Sequence, residues 1–349
     1  MTTRNSSIDS IRTFAVFAVI LIHTYPFLTF SGKIETYLCL LINQASRFAV
    51  PFFFIIAGYL WGNKLKSTEL SGHMFAKYFL RVGMVFIFWC AVYVLVPNYN
   101  HVPDYLPIIK QFGLDGFLKV TYKRLIYYYE NPVTFFFQGT EIHLWYLTAL
   151  LSAVSISAIF IKLNLRKFLI PFSTLLYAVG LMAGSYAATP IGFSMEFNTR
   201  NGPFFSTLLF AAGLYLSETN RTFSVRHALS LIIIGFTLHM FEVWLLLSRY
   251  KIIPIQHDYL IGTLPFSLGF ALLALSKPNL GGKNILSKIG IYTLGIYAIH
   301  LVFINLLHPL KMRFQCHIIE IIYPLIIFLL SLSASWFFSM NRITRRFVT

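Results

Sequence analysis

The chain has 349 residues, of which 57% are hydrophobic and 11% charged, and its 28 Lys and Arg against 12 Asp and Glu give a formal net charge of +16. Its mean hydropathy is +0.70. Soluble domains carry roughly 25% charged residues, so this composition excludes a water-covered globular domain. The charge does not point to nucleic acid either, because the basic residues lie mainly in short connections between apolar runs.

Ten such runs follow one another: Ile11 to Phe30, Tyr37 to Trp61, Phe75 to Val96, Leu144 to Ile161, Phe168 to Ala187, Pro203 to Leu216, Ala228 to Leu247, Tyr259 to Leu275, Ile289 to Leu307 and Ile318 to Met340. Most can cross a hydrocarbon layer of about 30 Å, which takes about 20 helical residues. Two are shorter and open to a tilted or re-entrant reading. The expectation is an all-α polytopic membrane protein of about ten transmembrane helices, with residues 1–349 forming a single integral-membrane domain.

The first run is followed by His23-Thr24-Tyr25-Pro26 and not by a small-residue cleavage site, so it reads as a retained helix. Alternate connections differ in charge. One set carries Arg4, Lys64, Lys66, Lys162, Arg166, Lys167, Arg221, Arg226, Lys277, Lys283, Lys288, Arg342, Arg345 and Arg346. The other holds Lys33, Arg200, Arg249, Lys251, Lys311 and Arg313. The positive-inside rule then puts both termini in the cytoplasm and an aromatic-rich loop, 97–141, outside. That loop reads as an interfacial segment or as a platform for a sugar ring. Cys39, Cys90 and Cys316 are scattered and suggest neither a disulfide framework nor a metal cluster.

Ionisable residues within the apolar runs are costly and call for a function. Arg12 and His23 are eleven residues apart, which is three helical turns plus roughly 20° and a rise of about 16 Å. They therefore share a face, with Asp9 one turn below Arg12 and able to pair with it. Arg47 stands four residues before Pro51, where the helix should kink and leave a free carbonyl beside a cation. By depth, His23, Arg47, His239, Glu242 and His300 fall near the membrane centre or its outer half and look like one site. Arg12, Lys77 and Arg81 fall in the cytoplasmic half, where they can hold anionic phosphates or act as anchors. Glu141, His143 and Trp145 open the fourth long run at its outer end. The first two do not face each other on a helix, and Trp145 alone fits an aromatic belt.

These residues resemble acyltransferase family 3, membrane proteins that O-acetylate bacterial surface glycans. The matching stretches are Ile8-Asp9-Ser10-Ile11-Arg12 with His23, Val50-Pro51-Phe52-Phe53-Phe54-Ile55-Ile56-Ala57-Gly58-Tyr59, His143-Leu144-Trp145-Tyr146-Leu147 and Leu294-Gly295-Ile296-Tyr297-Ala298-Ile299-His300. The likeness is nearest to enterobacterial-common-antigen and O-antigen O-acetyltransferases. One departure is at Lys77-Tyr78-Phe79-Leu80-Arg81, where many members carry Arg-x-x-Arg and this chain has Tyr78 at the first arginine.

The resemblance implies a multi-pass enzyme of a bacterial inner membrane that uses acetyl-CoA as acyl donor, without a bound cofactor or metal. It takes as acceptor a hydroxyl of a glycan or lipid-linked oligosaccharide. The expected catalytic group is His23 as base or acyl carrier, with Glu242 or His300 orienting it and Arg47 at the oxyanion. The expected substrate contacts are Arg12, Lys77 and Arg81 on the donor, and Glu141, His143 and Trp145 at the acceptor end. A homo-oligomer is compatible with all of this, and a nucleic-acid partner is not. The alternative is a transporter or flippase for an anionic substrate, which would also gather His, Arg and Glu at the midplane.

Overall fold

A computed structural model describes residues 5–30, 32–67, 72–96, 105–219, 223–279, 282 and 284–349. Arg4, Arg221, Lys283 and the start of the expected outer loop, 97–104, lie outside the described residues. The described chain is built from helices in the order α1 (Ser6–Thr24), α2 (Lys33–Ala45), α3 (Ala49–Ser67), α4 (Gly72–Leu95), α5 (Tyr105–Glu130), α6 (Pro132–Gln138), α7 (Trp145–Lys162), α8 (Leu169–Ala183), α9 (Pro203–Glu218), α10 (Val225–Tyr250), α11 (Thr263–Ser276), α12 (Ile285–Ile289), α13 (Thr293–Arg313), α14 (His317–Met340) and α15 (Arg342–Arg345).

Each of the ten apolar runs coincides with a helix or a near-continuous helical pair. Among the described residues, eight helical spans are long and apolar enough to cross a membrane, one of them the joined α2–α3 span Lys33–Lys66. The two short runs became α9, with 16 residues, and α11, with 14. Both are packed inside the bundle, where a helix need not meet lipid at either end. Large apolar side chains at helical spacing point outwards along α14, as at Ile318, Ile321, Leu325, Leu329 and Phe337. Such a stripe would be a liability in water and suits hydrocarbon.

The α2–α3 span is broken where Pro51 required it. Ser46–Phe48 form a 3₁₀ turn between the two helices, with Arg47 on it. Without an N–H at Pro51 the ladder cannot run through, and the turn aims Arg47 sideways into the protein. Beyond the break α3 packs most extensively on α9. A Cβ added at Gly213 would stand 1.8 Å from the Ile55 carbonyl, and one at Gly58 would stand 2.0 Å from that of Phe210. Two backbones can come this close only where neither side carries a side chain.

The segment expected as a loop, 97–141, is largely helical where it is described. It forms α5, interrupted at Gly113 with φ 54°, and α6. Tyr122, Tyr127, Tyr129 and Phe136 are exposed along it. The sequence alternation there was too irregular to reveal the helices.

Candidate functional site

Two helices and one turn bring three histidines together. The His23 and His300 rings have centroids 5.2 Å apart, and His300 lies 5.1 Å from His143. His23 comes from the last turn of α1, His300 from the middle of α13, and His143 from the 3₁₀ turn Ile142–Leu144 that Glu141 caps by accepting the Ile142 N–H. His143 and His300 are enclosed, at 1% and 0% exposure. His23 is only partly buried, which makes it the one of the three that a reactant can reach.

Hydrogen bonds fix the tautomers of the enclosed pair. His300 Nδ1 donates to the Tyr297 carbonyl at 2.6 Å, so in the neutral ring Nε2 carries a lone pair; that atom has no partner among the described residues. His143 Nε2 faces the Ala298 carbonyl at 3.4 Å, and its Nδ1 is likewise unpartnered. The Tyr297 hydroxyl donates to the His143 carbonyl, and Tyr93 donates to the Ala298 carbonyl at 2.7 Å. Two buried imidazole nitrogens thus remain available inside a cage that is otherwise satisfied. Among the described residues, no three His, Cys, Asp or Glu side chains are disposed to hold one metal ion.

Beneath the cage a cavity of about 490 Å³ runs between α1, α3, α4, α7 and α13. Tyr297 and Tyr146 line it near the histidines, Val19, Phe53, Ala57 and Leu150 make its walls, and Arg12, Lys64 and Arg81 stand on its lining with Asp9 and Tyr78. Arg12 pairs with Asp9 at 3.6 Å, as their spacing suggested. Arg81 donates to the Thr349 carbonyl at 2.9 Å. Lys77 is exposed and does not line the cavity, whereas Tyr78, at the position of the missing arginine, does. Lys64 takes the place in this basic cluster that the sequence reading gave to Lys77.

The five polar residues grouped by depth separate into different environments. His23 and His300 meet. Arg47 instead bonds Asp258 at 3.1 Å, Asn43 at 3.2 Å and the Ile255 carbonyl at 3.2 Å, which commits three of its N–H groups. His239 is held between Gln44, at 3.1 Å, and Thr263, at 3.0 Å. Glu242 accepts the N–H groups of Ile261 and Gly262 and the Tyr186 hydroxyl. It therefore caps the N-terminus of α11 and does not orient His23. Spacing along a single helix was legible from the sequence, but the direction each helix faces was not.

Two residues of the site were missed. Arg200, counted as a loop charge, bonds Asp258 at 2.9 Å and lies over the Trp145 ring at 5.0 Å. Trp145 is accordingly buried beneath a guanidinium and is no belt residue. Asp258 joins Arg200 to Arg47, and both arginines are within electrostatic range of His23. Burial acts to raise the Asp258 carboxyl, but the charges of Arg200 and Arg47 prevail and hold it below the ordinary carboxylate value. Neighbouring His257 is pushed down to about 4, by burial first and then by Arg47. Asp258 also borders a polar pocket of about 290 Å³, with Glu196, Asn198, Gln256 and Tyr259 on its lining.

The description "acyltransferase domain" of family 3 matches residues 5–340. The chain belongs to acyltransferase family 3. Two curated relatives, both called amino-acid racemase and both from Enterococcus faecalis, are similar to it. One is 28% identical over 330 residues, covering 89% of this chain and 42% of that protein. The other is 28% identical over 228 residues, covering 61% of this chain and 28% of that protein. The chain thus spans less than half the length of the curated relatives it matches. No solved structure matches it. Its helical bundle, with long apolar spans, is that of a polytopic membrane protein carrying the family's domain.

Proposed function

We propose that the protein moves an acetyl group from cytoplasmic acetyl-CoA, across the membrane, to a hydroxyl of a surface-glycan or lipid-linked sugar precursor. The observation that carries this reading is the continuity of the large cavity. It has Arg12, Lys64 and Arg81 on its lining, and it is also lined by Tyr297, whose hydroxyl is bonded to the backbone of His143. In this reading the phosphates of the donor lie against the cations and its pantetheine arm follows the apolar wall. The thioester then arrives below the histidines, about 16 Å from Arg12 along α1.

His23 acts as general base. At a ring separation of 5.2 Å, His300 Nε2 is near enough to accept the N–H of His23 after a small rotation, which presents the other His23 nitrogen to the acceptor. That nitrogen takes the hydroxyl proton as the oxygen attacks the thioester carbonyl. The C–O bond forms, the C–S bond breaks, and the proton passes from His23 to the departing thiolate. The products are the O-acetyl ester and free CoA. Arg47 and Arg200 contribute a positive field to the oxyanion from their places on Asp258, without touching it. The acceptor approaches past the polar pocket at Asp258, where carboxylate and amide groups suit sugar hydroxyls.

The test incubates purified protein with labelled acetyl-CoA and a set of lipid-linked glycans. Label on a glycan, lost in His23→Ala, supports the reading. A second reading is favoured by the name of the relatives: a membrane unit shared with proteins called amino-acid racemases would handle an amino acid, as a transporter. Label on no glycan, together with uptake of labelled amino acid into proteoliposomes, would replace the first reading with the second.

A further inference from the structure

The proposed chemistry leaves unused a buried ion pair at the end of the bundle where α1, α13 and α14 meet. Lys311 and Glu320 are 8% and 2% exposed and lie 3.0 Å apart. Lys311 Nζ also donates to the Thr24 carbonyl at 3.0 Å and sits 5.1 Å above the Tyr323 ring. Glu320 accepts the Phe27 N–H at 2.9 Å on one oxygen and the Thr29 hydroxyl at 2.8 Å on the other.

The contacts to Thr24, Phe27 and Thr29 grip the six residues that follow His23. Thr24 is the last residue of α1, and its carbonyl is one that the helix itself leaves unpaired. Tyr25 and Phe27 then take φ values of 43° and 68°. Side-chain-bearing residues hold left-handed conformations only where their surroundings over-determine them. The pair supplies that constraint from both sides, a cation on the carbonyl at the helix end and a carboxylate on the turn.

α13 carries both partners of α1. His300 meets His23, and Lys311, eleven residues further on, meets Thr24. The two contacts fall on consecutive residues, so α13 holds the end of α1 by one side chain and by one backbone carbonyl. A buried ion pair adds little net stability over an apolar substitute, because desolvation offsets its attraction. Its use must therefore be sought in geometry.

We propose that Lys311 and Glu320 are positioning residues for His23, fixing the end of α1 so that its imidazole meets His300 in the reactive orientation. This rests on the reading of His23 as the base. A pair that merely fastened three helices would affect the amount of folded protein and leave the reactivity of each folded molecule alone.

The experiment compares the wild type with Lys311→Met/Glu320→Gln, which removes both charges and keeps the volume. It adds Thr29→Val, which deletes one exposed partner of Glu320 and leaves the core intact. Two quantities are read on monodisperse protein: acetyl-transfer kinetics, and the rate at which diethylpyrocarbonate carbethoxylates His23, mapped by mass spectrometry. The double variant is expected to lose about 10- to 100-fold in kcat with donor KM within twofold, and to change the His23 modification rate at least threefold. Thr29→Val is expected to shift both readouts in the same direction by a smaller factor, and it decides the matter if the double variant fails to fold. Unchanged kcat and modification rate in folded protein would overturn the proposal. If the wild type acetylates no glycan, the parent reading fails, and the modification rate alone still judges the positioning role.

Discussion

His23 and Arg12 carry the account at the level of single residues, because they lie on one helix and their roles separate kinetically. His23→Ala is expected to lower acetyl transfer by about 10²- to 10⁴-fold, the usual contribution of a general base, while the protein still purifies as a monodisperse species. Transfer at near wild-type rate would remove His23 from the mechanism. Arg12 lines the cavity proposed for the donor, and losing a charge-assisted phosphate contact there would cost about 1.5 to 3 kcal/mol. Arg12→Ala should therefore raise the KM for acetyl-CoA about 10- to 150-fold and leave acceptor KM unchanged. Arg12→Lys should recover part of this, since the charge survives and the planar fork does not. An unchanged donor KM in the alanine variant would reduce Arg12 to an anchor.

The Arg12 to His23 register was legible in the sequence because both lie on one uninterrupted helix, where spacing alone fixes the face. The partners of His23 were only half legible. Counting along the helices grouped His300 with His23, but also His239 and Glu242, which serve Gln44, Thr263 and the start of α11. No periodicity in one helix reports the direction of another. Lys311 and Arg200 were read as charges in short connections, and burial by distant segments is what changes their meaning.

Among elements, the α3–α9 contact and the connection before α11 make separate predictions. Gly213→Ala would push a methyl group against the Ile55 carbonyl, so the helices must part. About 1 to 3 kcal/mol of destabilisation is expected, read as a lower Tm in detergent, and an unchanged Tm would mean that the close approach is not required. In the connection, Asp258 has a folded value below its ordinary one, so its stabilisation is complete above the ordinary carboxylate range and is lost as pH falls through the folded value. His257 adds in the same direction. Its folded value of about 4 lies below the ordinary 6.5, so the unfolded chain binds a proton first and stability falls as pH drops from about 6.5 towards 4. Thermal stability should therefore decline on mild acidification, and His257→Gln should flatten that decline. An equal acid sensitivity in the variant would contradict this assignment. The proline break at Pro51 was readable in advance because a missing N–H acts locally. The helices of 105–138 were not, since their exposed aromatics follow no clear repeat.

For the whole molecule, the charge asymmetry of the connections gives an orientation that native chemistry can check. Cys316 is exposed, between α13 and α14, while Cys39 and Cys90 are buried. A membrane-impermeant maleimide applied outside intact cells should label Cys316. It should not label Cys316→Ser carrying Asn63→Cys, because Asn63 lies by Lys64 at the basic end. The reverse pattern would invert the direction of transfer.

The central claim is that one bilayer-spanning path joins a donor site at Arg12 to His23 and an acceptor on the far side. Sealed proteoliposomes of uniform orientation test it most directly, with labelled acetyl-CoA confined to the Arg12 side and a lipid-linked glycan exposed only on the other. The account predicts label on the glycan, dependent on His23 and absent when donor and glycan both face the acceptor side. Labelling that requires donor and glycan on the same side, or that persists in His23→Ala, would contradict it.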